Sequence, residues 1–159
     1  MKYSDNSPQK DMANITTYQS GIAQATAHRV INRVVSDYLT RYDLTAMHWF
    51  IIGHIRDARE AGISLGDLRF IIGTTLPYMT NTINILEEKS LITKKNHEKD
   101  ARIKVVTLLP ETIALVDEIE SGLRDELRKT LYSEDTISRQ ELQTYITVLY
   151  KIIGGQTGE

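Results

Sequence analysis

Two short helical patterns stand either side of Gly73 and Thr74, and the second runs almost at once into a pair of strand-like segments. That order leaves few folds open. Two short helices and one hairpin can bury their apolar faces only against further helices supplied by the rest of the chain. In the first pattern Ser64 is placed as an N-cap, and Leu65, Leu68 and Ile72 follow at helical spacing. In the second, Thr75 is the N-cap and Pro77 sits where its missing N–H costs little, with Met79, Ile83 and Leu86 on one face to about residue 90. At about 100° per residue the opposite face carries Pro77, Asn81, Asn84 and Glu88, flanked by Tyr78 and Thr80. Residues 91–94 and 103–108 read as strands, the latter rich in β-branched side chains, and the polar stretch 95–102 between them is a hairpin tip.

Long helices flank this centre. Over residues 16–39, Ala23, Ala27, Val30, Ile31, Val34 and Tyr38 recur at spacings of three and four, predicting one amphipathic helix of roughly 36 Å. A second helix begins near Leu44, and its Met47, Trp49, Phe50, Ile51, Ile52 and Ile55 are apolar on most faces, so it is expected to be central. Beyond Pro110, Leu115, Ile119, Leu123, Leu127 and Leu131 recur every four residues. Ser138 and Glu141 then form a capping box for a last helix lined by Leu142, Tyr145, Ile146, Leu149 and Ile153. These stripes exceed what one small lobe can cover, which predicts a homodimer through the first, fifth and sixth helices.

The expected architecture is mainly α with a two-stranded β-hairpin. Residues 1–14 form a mobile arm, 15–43 the first platform helix, 44–109 the central lobe, 110–153 the C-terminal platform helices, and 154–159 a mobile tail.

Several function classes lack support. No apolar run approaches the roughly 18 residues of a membrane span, and the opening residues lack a secretory apolar stretch, so a cytoplasmic protein is expected. The absence of cysteine excludes disulfides, thiolate metal sites and thiol redox switching. His28, His48, His54 and His97 show no metal-ligand spacing, so neither metal nor cofactor is expected. Nothing resembles a nucleophile triad, a phosphate loop or a paired-carboxylate site, so an enzyme is not expected. With 19 basic and 21 acidic residues the net charge is −2, so nucleic-acid binding would have to rest on a local patch. One exists: Lys94, Lys95, Lys99, Arg102 and Lys104 face only Glu98 and Asp100, a local net of +3.

In LTAMHW at 44–49, SLGDLRFIIGTTLPYMTNTINILEEKSLI at 64–92 and DARIKVVTL at 100–108, the chain resembles the MarR family of bacterial regulators. The resemblance implies a winged helix-turn-helix whose second helix enters the DNA major groove, and a dimer that meets an imperfect palindrome about one DNA turn across. The wing arginine of the family reaches into the minor groove and an aspartate orients it; Arg102 and Asp100 are the matching positions. The major-groove candidates are Thr75, Pro77, Tyr78, Thr80, Asn81 and Asn84; the asparagines can each pair with adenine, and Tyr78 and Thr80 suit phosphates or thymine methyls. Lys94, Lys95, Lys99 and Lys104 join Asp100 and Arg102 as wing candidates. No Lys or Arg occurs from Ile71 through Glu88, which predicts an A·T-leaning site. The chain departs from the family at Ser90, usually glycine, at Ala101, usually arginine, and at Leu109 and Thr112, usually threonine and glycine.

The resemblance also implies a cleft for small aromatic or anionic ligands, with Tyr38, Arg41, Tyr42, His48 and Trp49 as the candidate lining. A ligand that favours a different spacing of the two lobes would release DNA, the usual logic of a repressor. The competing reading is a winged-helix dimer serving as a protein-protein adaptor without specific DNA binding, suggested by the uncharged second helix and the missing wing arginine.

Overall fold

A computed structural model describes residues 14–155. The expected arm and tail otherwise lie outside the described residues. Helix α1 (Thr17–Leu39) opens with a full capping box, in which Thr16 Oγ1 accepts from the Gln19 amide and Gln19 Oε1 accepts from the Thr16 amide. Only its C-terminal end is buried, through Val35, Tyr38 and Leu39. A 3₁₀ turn leads to Asp43 in the left-handed region and on to α2 (Ala46–Asp57). As expected, α2 is central: Ile51, Ile52 and Ile55 are essentially inaccessible.

The sheet corrects the two-stranded expectation. β1 (Ile63–Ser64) precedes α3 (Leu65–Ile72) and α4 (Leu76–Glu88), and the hairpin strands are β2 (Ile92–Asn96) and β3 (Lys104–Leu108). The order is β1-β3-β2, all antiparallel, with Ile63 opposite Val106 and Ser64 opposite Val105. Gly62 makes the third strand. At φ 70° its backbone passes so close to β3 that a Cβ there would lie 2.6 Å from the Val106 carbonyl oxygen. Two residues are too few for period-two alternation to register in a sequence. The hairpin strands also shift. Pairing continues out to Asn96 and Lys104, and Leu91 is held at the end of α4 through its amide to Leu86 O, so the tip is residues 97–103.

Helices α3 and α4 end alike. In each, the chain turns left-handed just past the helix, at Gly73 (φ 72°) directly after α3 and at Ser90 (φ 57°) one residue beyond Lys89. The amide of that left-handed residue returns to the carbonyl three residues back (Phe70, Glu87), and the following amide reaches five back (Arg69, Leu86). This is the Schellman motif, in which the left-handed position favours glycine. The two helices that carry the helix-turn-helix are thus closed by the same device, one with glycine and one without.

α5 (Pro110–Thr130) packs along α1 and α2 through Val116, Ile119 and Leu123, and Gly122 leaves room for the Tyr38 hydroxyl against the helix. Thr112, in its first turn, is buried, and its hydroxyl has no partner among the described residues. α6 (Arg139–Gly154) starts at the expected Ser138–Glu141 box, yet none of its residues is buried within the single chain. No helix among the described residues is long and apolar enough to cross a membrane.

Candidate functional site

α4 is anchored by Met79, Ile83 and Leu86, all at 0% exposure, and by Thr82, whose hydroxyl donates to Tyr78 O. The opposite face is thereby turned to solvent: Pro77, Tyr78, Thr80, Asn81, Asn84 and Glu88 are all exposed. Thr75 caps the helix, its Oγ1 accepting from the Tyr78 amide at 3.4 Å. The amide group of Asn81 has no hydrogen-bond partner among the described residues.

Asn84 differs. Its Oδ1 accepts from Lys94 Nζ at 2.7 Å, and the same ammonium pairs with Glu87 Oε2 at 2.9 Å. Glu87 Oε1 also accepts from the Lys94 amide at 3.3 Å, so one carboxylate holds both the backbone and the side chain of that strand residue. The Lys94 hydrogen bond, outweighing some desolvation, keeps the Glu87 carboxyl below its usual range. Strand alternation sets this up. Ile92, Lys94 and Asn96 share one side of β2 with their partners Leu108, Val106 and Lys104, and buried Ile92 and Val106 turn that side toward α4.

The same alternation divides the wing cations. Lys95 lies on the other side of β2, its Nζ 3.5 Å from Glu60 O, and Lys104 bonds Asn96 Oδ1. Lys99 and Arg102 stand at the tip, exposed and with no ion pair among the described residues. Asp100 Oδ1 accepts from the backbone amide of Arg102 at 3.0 Å, and Asp100 O accepts from Ile103 N. The aspartate therefore shapes the loop that carries the arginine, and its carboxylate contact is to the Arg102 backbone, not to the guanidinium.

The five candidate ligand residues do not surround one cavity. Tyr38 is buried in the core at 7% exposure, with the Arg41 guanidinium 4.2 Å over its ring and the Tyr42 ring tilted against it at 5.9 Å. The Tyr42 hydroxyl donates to Glu118 Oε1 at 3.1 Å. Its pKa is pushed up to about 12, by the Tyr38 hydrogen bond first, then desolvation and Glu118. His48 completes the α2 capping box: its Nδ1 accepts from the Thr45 amide at 3.3 Å. Burial lowers its pKa, aided by Lys89 and opposed by Asp43, which are themselves ion-paired. Trp49 alone of the five lines an open cavity of about 710 Å³ between α2, α3 and α5, with Phe50, His54, Ile72, Val116 and Arg124. Arg41 is thus placed on an aromatic ring, away from that cavity.

Sequence reasoning missed Glu87 and the Asp43–Lys89–His48 group. The first had a signal: Asn84 and Glu87 are three apart on a helix, and counting by two from apolar Ile92 puts Lys94 on the side that faces them. The second joins residues 46 apart in the chain and has no local pattern.

Residues 42–103 match the model of the MarR family. The fold is similar to that of a mutant MarR of E. coli complexed with operator DNA, at 22% identity over 83% of this chain and 91% of that one, with a TM-score of 0.68. The S. aureus MepR-DNA complex is 25% identical over 89% of this chain and 99% of its own, TM-score 0.69. AbsC of Streptomyces coelicolor, a MarR family transcriptional regulator, is 15% identical over 91% and 98%, TM-score 0.74. The chain shares the winged-helix fold of these MarR family structures, and residues 42–103, which hold the capped helix pair and most of the hairpin, match the family's model.

Proposed function

We propose that the protein is a dimeric transcriptional regulator, a repressor that binds an imperfect palindromic site with α4 in the major groove and the wing tip at the minor groove. The observation that carries this is the exposed polar face of α4, with an unpaired Asn81, beside a hairpin tip whose Arg102 and Lys99 are uncommitted. A narrow minor groove concentrates negative potential, and a guanidinium suits it. Two similar proteins, MarR of E. coli and MepR of S. aureus, have been solved with DNA, which supports the reading.

The exposed apolar faces support a second copy of the chain as their occupant. Tyr18 and Ile22 on α1 are 74% and 62% exposed, and on α6 Tyr145, Ile146, Tyr150 and Ile153 are 44%, 42%, 70% and 59% exposed. A helix as amphipathic as α6 with no buried residue in the protomer is unstable alone. Pairing α1, α5 and α6 between two copies would bury these faces and set both α4 helices about one DNA turn, roughly 34–36 Å, apart. The cavity beside Trp49 joins the lobe to α5, with Arg124 at its edge ion-paired to Glu120, a pair that an anionic ligand would have to displace. An aromatic or anionic ligand there would shift the lobe spacing and relieve repression.

Selection from a random duplex pool across a salt series tests the reading, with Arg102→Ala and Asn81→Ala alongside wild type. A palindrome should emerge. Arg102→Ala should weaken all sequences and flatten the salt slope, while Asn81→Ala should relax preference at one base pair. If no duplex is bound specifically even at low salt, the adaptor reading replaces this one.

A further inference from the structure

The two asparagines of α4 do not offer DNA the same chemistry. Adenine in the major groove presents an acceptor, N7, and a donor, the N6 amino group, so an asparagine that reads it must both donate and accept. Asn81, with neither end engaged, can do so. Asn84 has its acceptor taken: the Lys94 ammonium lies 2.7 Å from Oδ1. An adenine amino group approaching that oxygen would be brought beside a positive charge.

What remains at this end of the helix is a set of donors. The Nδ2 group of Asn84 has two N–H groups, and the Lys94 ammonium has a third N–H beyond those directed at Asn84 and at Glu87 Oε2, 2.9 Å away. Guanine is the one base with two acceptors, N7 and O6, side by side in the major groove. Glu87 is turned to Lys94, one oxygen accepting from its amide and the other from its ammonium, and the ammonium offsets the carboxylate charge.

We propose that Asn84 and Lys94 together read a guanine, so that each half-site carries one G·C pair at that position within the A·T context set by Asn81. A recognition helix without lysine or arginine thus takes its cation from the neighbouring wing strand, and Glu87 is the positioning residue that holds it there. The proposal rests on the reading of α4 as the major-groove helix.

The test is a base-by-base preference profile of the full-length dimer for wild type, Lys94→Met, Lys94→Gln and Lys94→Arg, with folding checked by circular dichroism. Wild type and Lys94→Arg should favour guanine over adenine at the Asn84 position by on the order of tenfold. Lys94→Met and Lys94→Gln free Asn84 Oδ1 and should turn that preference toward adenine, leaving the Asn81 position unchanged. If the neutral variants instead weaken every sequence equally and keep the wild-type preference, Lys94 is a phosphate contact and the inference is overturned while the regulator reading stands. If wild type selects no duplex at all, both are overturned.

Discussion

Exchanging the closing residues of α3 and α4 should move stability in opposite directions. Gly73 and Ser90 occupy the same position of the same motif, at φ 72° and 57°. A Cβ built on Gly73 meets nothing within 4 Å, so Gly73→Ala isolates the backbone conformation from any clash. The left-handed region costs an L-residue roughly 1–2 kcal/mol, part of which is offset because alanine constrains the unfolded chain by about 0.4–1 kcal/mol. Gly73→Ala should therefore destabilise by about 1 kcal/mol, and Ser90→Gly should stabilise by about 0.5–1 kcal/mol. Ser90→Val, β-branched in a left-handed position, should destabilise further. Urea unfolding at one fixed protein concentration is the assay, since the midpoint of the proposed dimer would move with concentration. The midpoints should shift with an unchanged slope. A neutral or destabilising Ser90→Gly would refute the reasoning, since no packing change accompanies it. It would mean that the serine at the end of α4 is held there by something other than the Schellman geometry.

Three further changes test other parts of the fold. Gly62→Ala adds a left-handed penalty to a Cβ 2.6 Å from Val105 Cγ1 and the Val106 carbonyl. It should cost about 2–4 kcal/mol and expose the β1–β3 amides to hydrogen exchange before the rest of the lobe. Thr112→Val removes a buried hydroxyl with no partner at nearly constant shape and should raise stability by about 1 kcal/mol, read from the urea midpoint. His48 has a folded pKa below its ordinary value, so the unfolded chain takes up that proton first as pH falls. Stability is whole above the ordinary histidine pKa and is lost as pH drops toward the lower folded value. His48→Gln keeps the capping box and should flatten urea midpoints between roughly pH 8 and pH 5; equal slopes for both proteins would sink the assignment.

Helices were legible in the sequence because each carries its own signals. Ser64, Thr75 and Ser138 are N-caps in the structure, as their positions in the sequence predict, and the apolar positions of α4 face the core as the 3.6 period requires. What escaped is what depends on partners distant in the chain. β1 has no pattern of its own and exists because Gly62 lets the backbone approach β3. The wing was visible as a patch of charge, but a sum over residues 94–104 cannot say which cations are already engaged. The candidate ligand residues rest on the family resemblance, which does not specify their neighbours in this chain; Tyr38, Arg41 and Tyr42 form an aromatic and cationic cluster against α5, and His48 serves as a cap. Ser90 was visible as a departure from the family pattern, and its backbone angle supplies the reason that glycine is usual there.

The division of the wing cations has a consequence for a chain of net charge −2. Counterion release counts only cations that reach phosphate, at about 0.9 in log–log slope for each. Lys94 is ion-paired with Glu87, Lys95 lies on the side of the hairpin away from α4, and Lys104 is tied within the hairpin to Asn96 Oδ1. Lys99 and Arg102 are left at the tip, four cations in a dimer, so the wings should contribute a slope of about −4. The double variant Lys99→Ala, Arg102→Ala should remove nearly all of that contribution, measured as Kd for one palindrome across a salt series, whereas Lys95→Ala should leave the slope close to wild type. If Lys95→Ala flattens it as much as Arg102→Ala does, then DNA meets the other face of the hairpin, and the division by strand alternation does not survive in the complex. If the tip pair alone carries it, then the wing's grip on DNA is set by its two loop cations, and the strand lysine beside α4 is left to read bases.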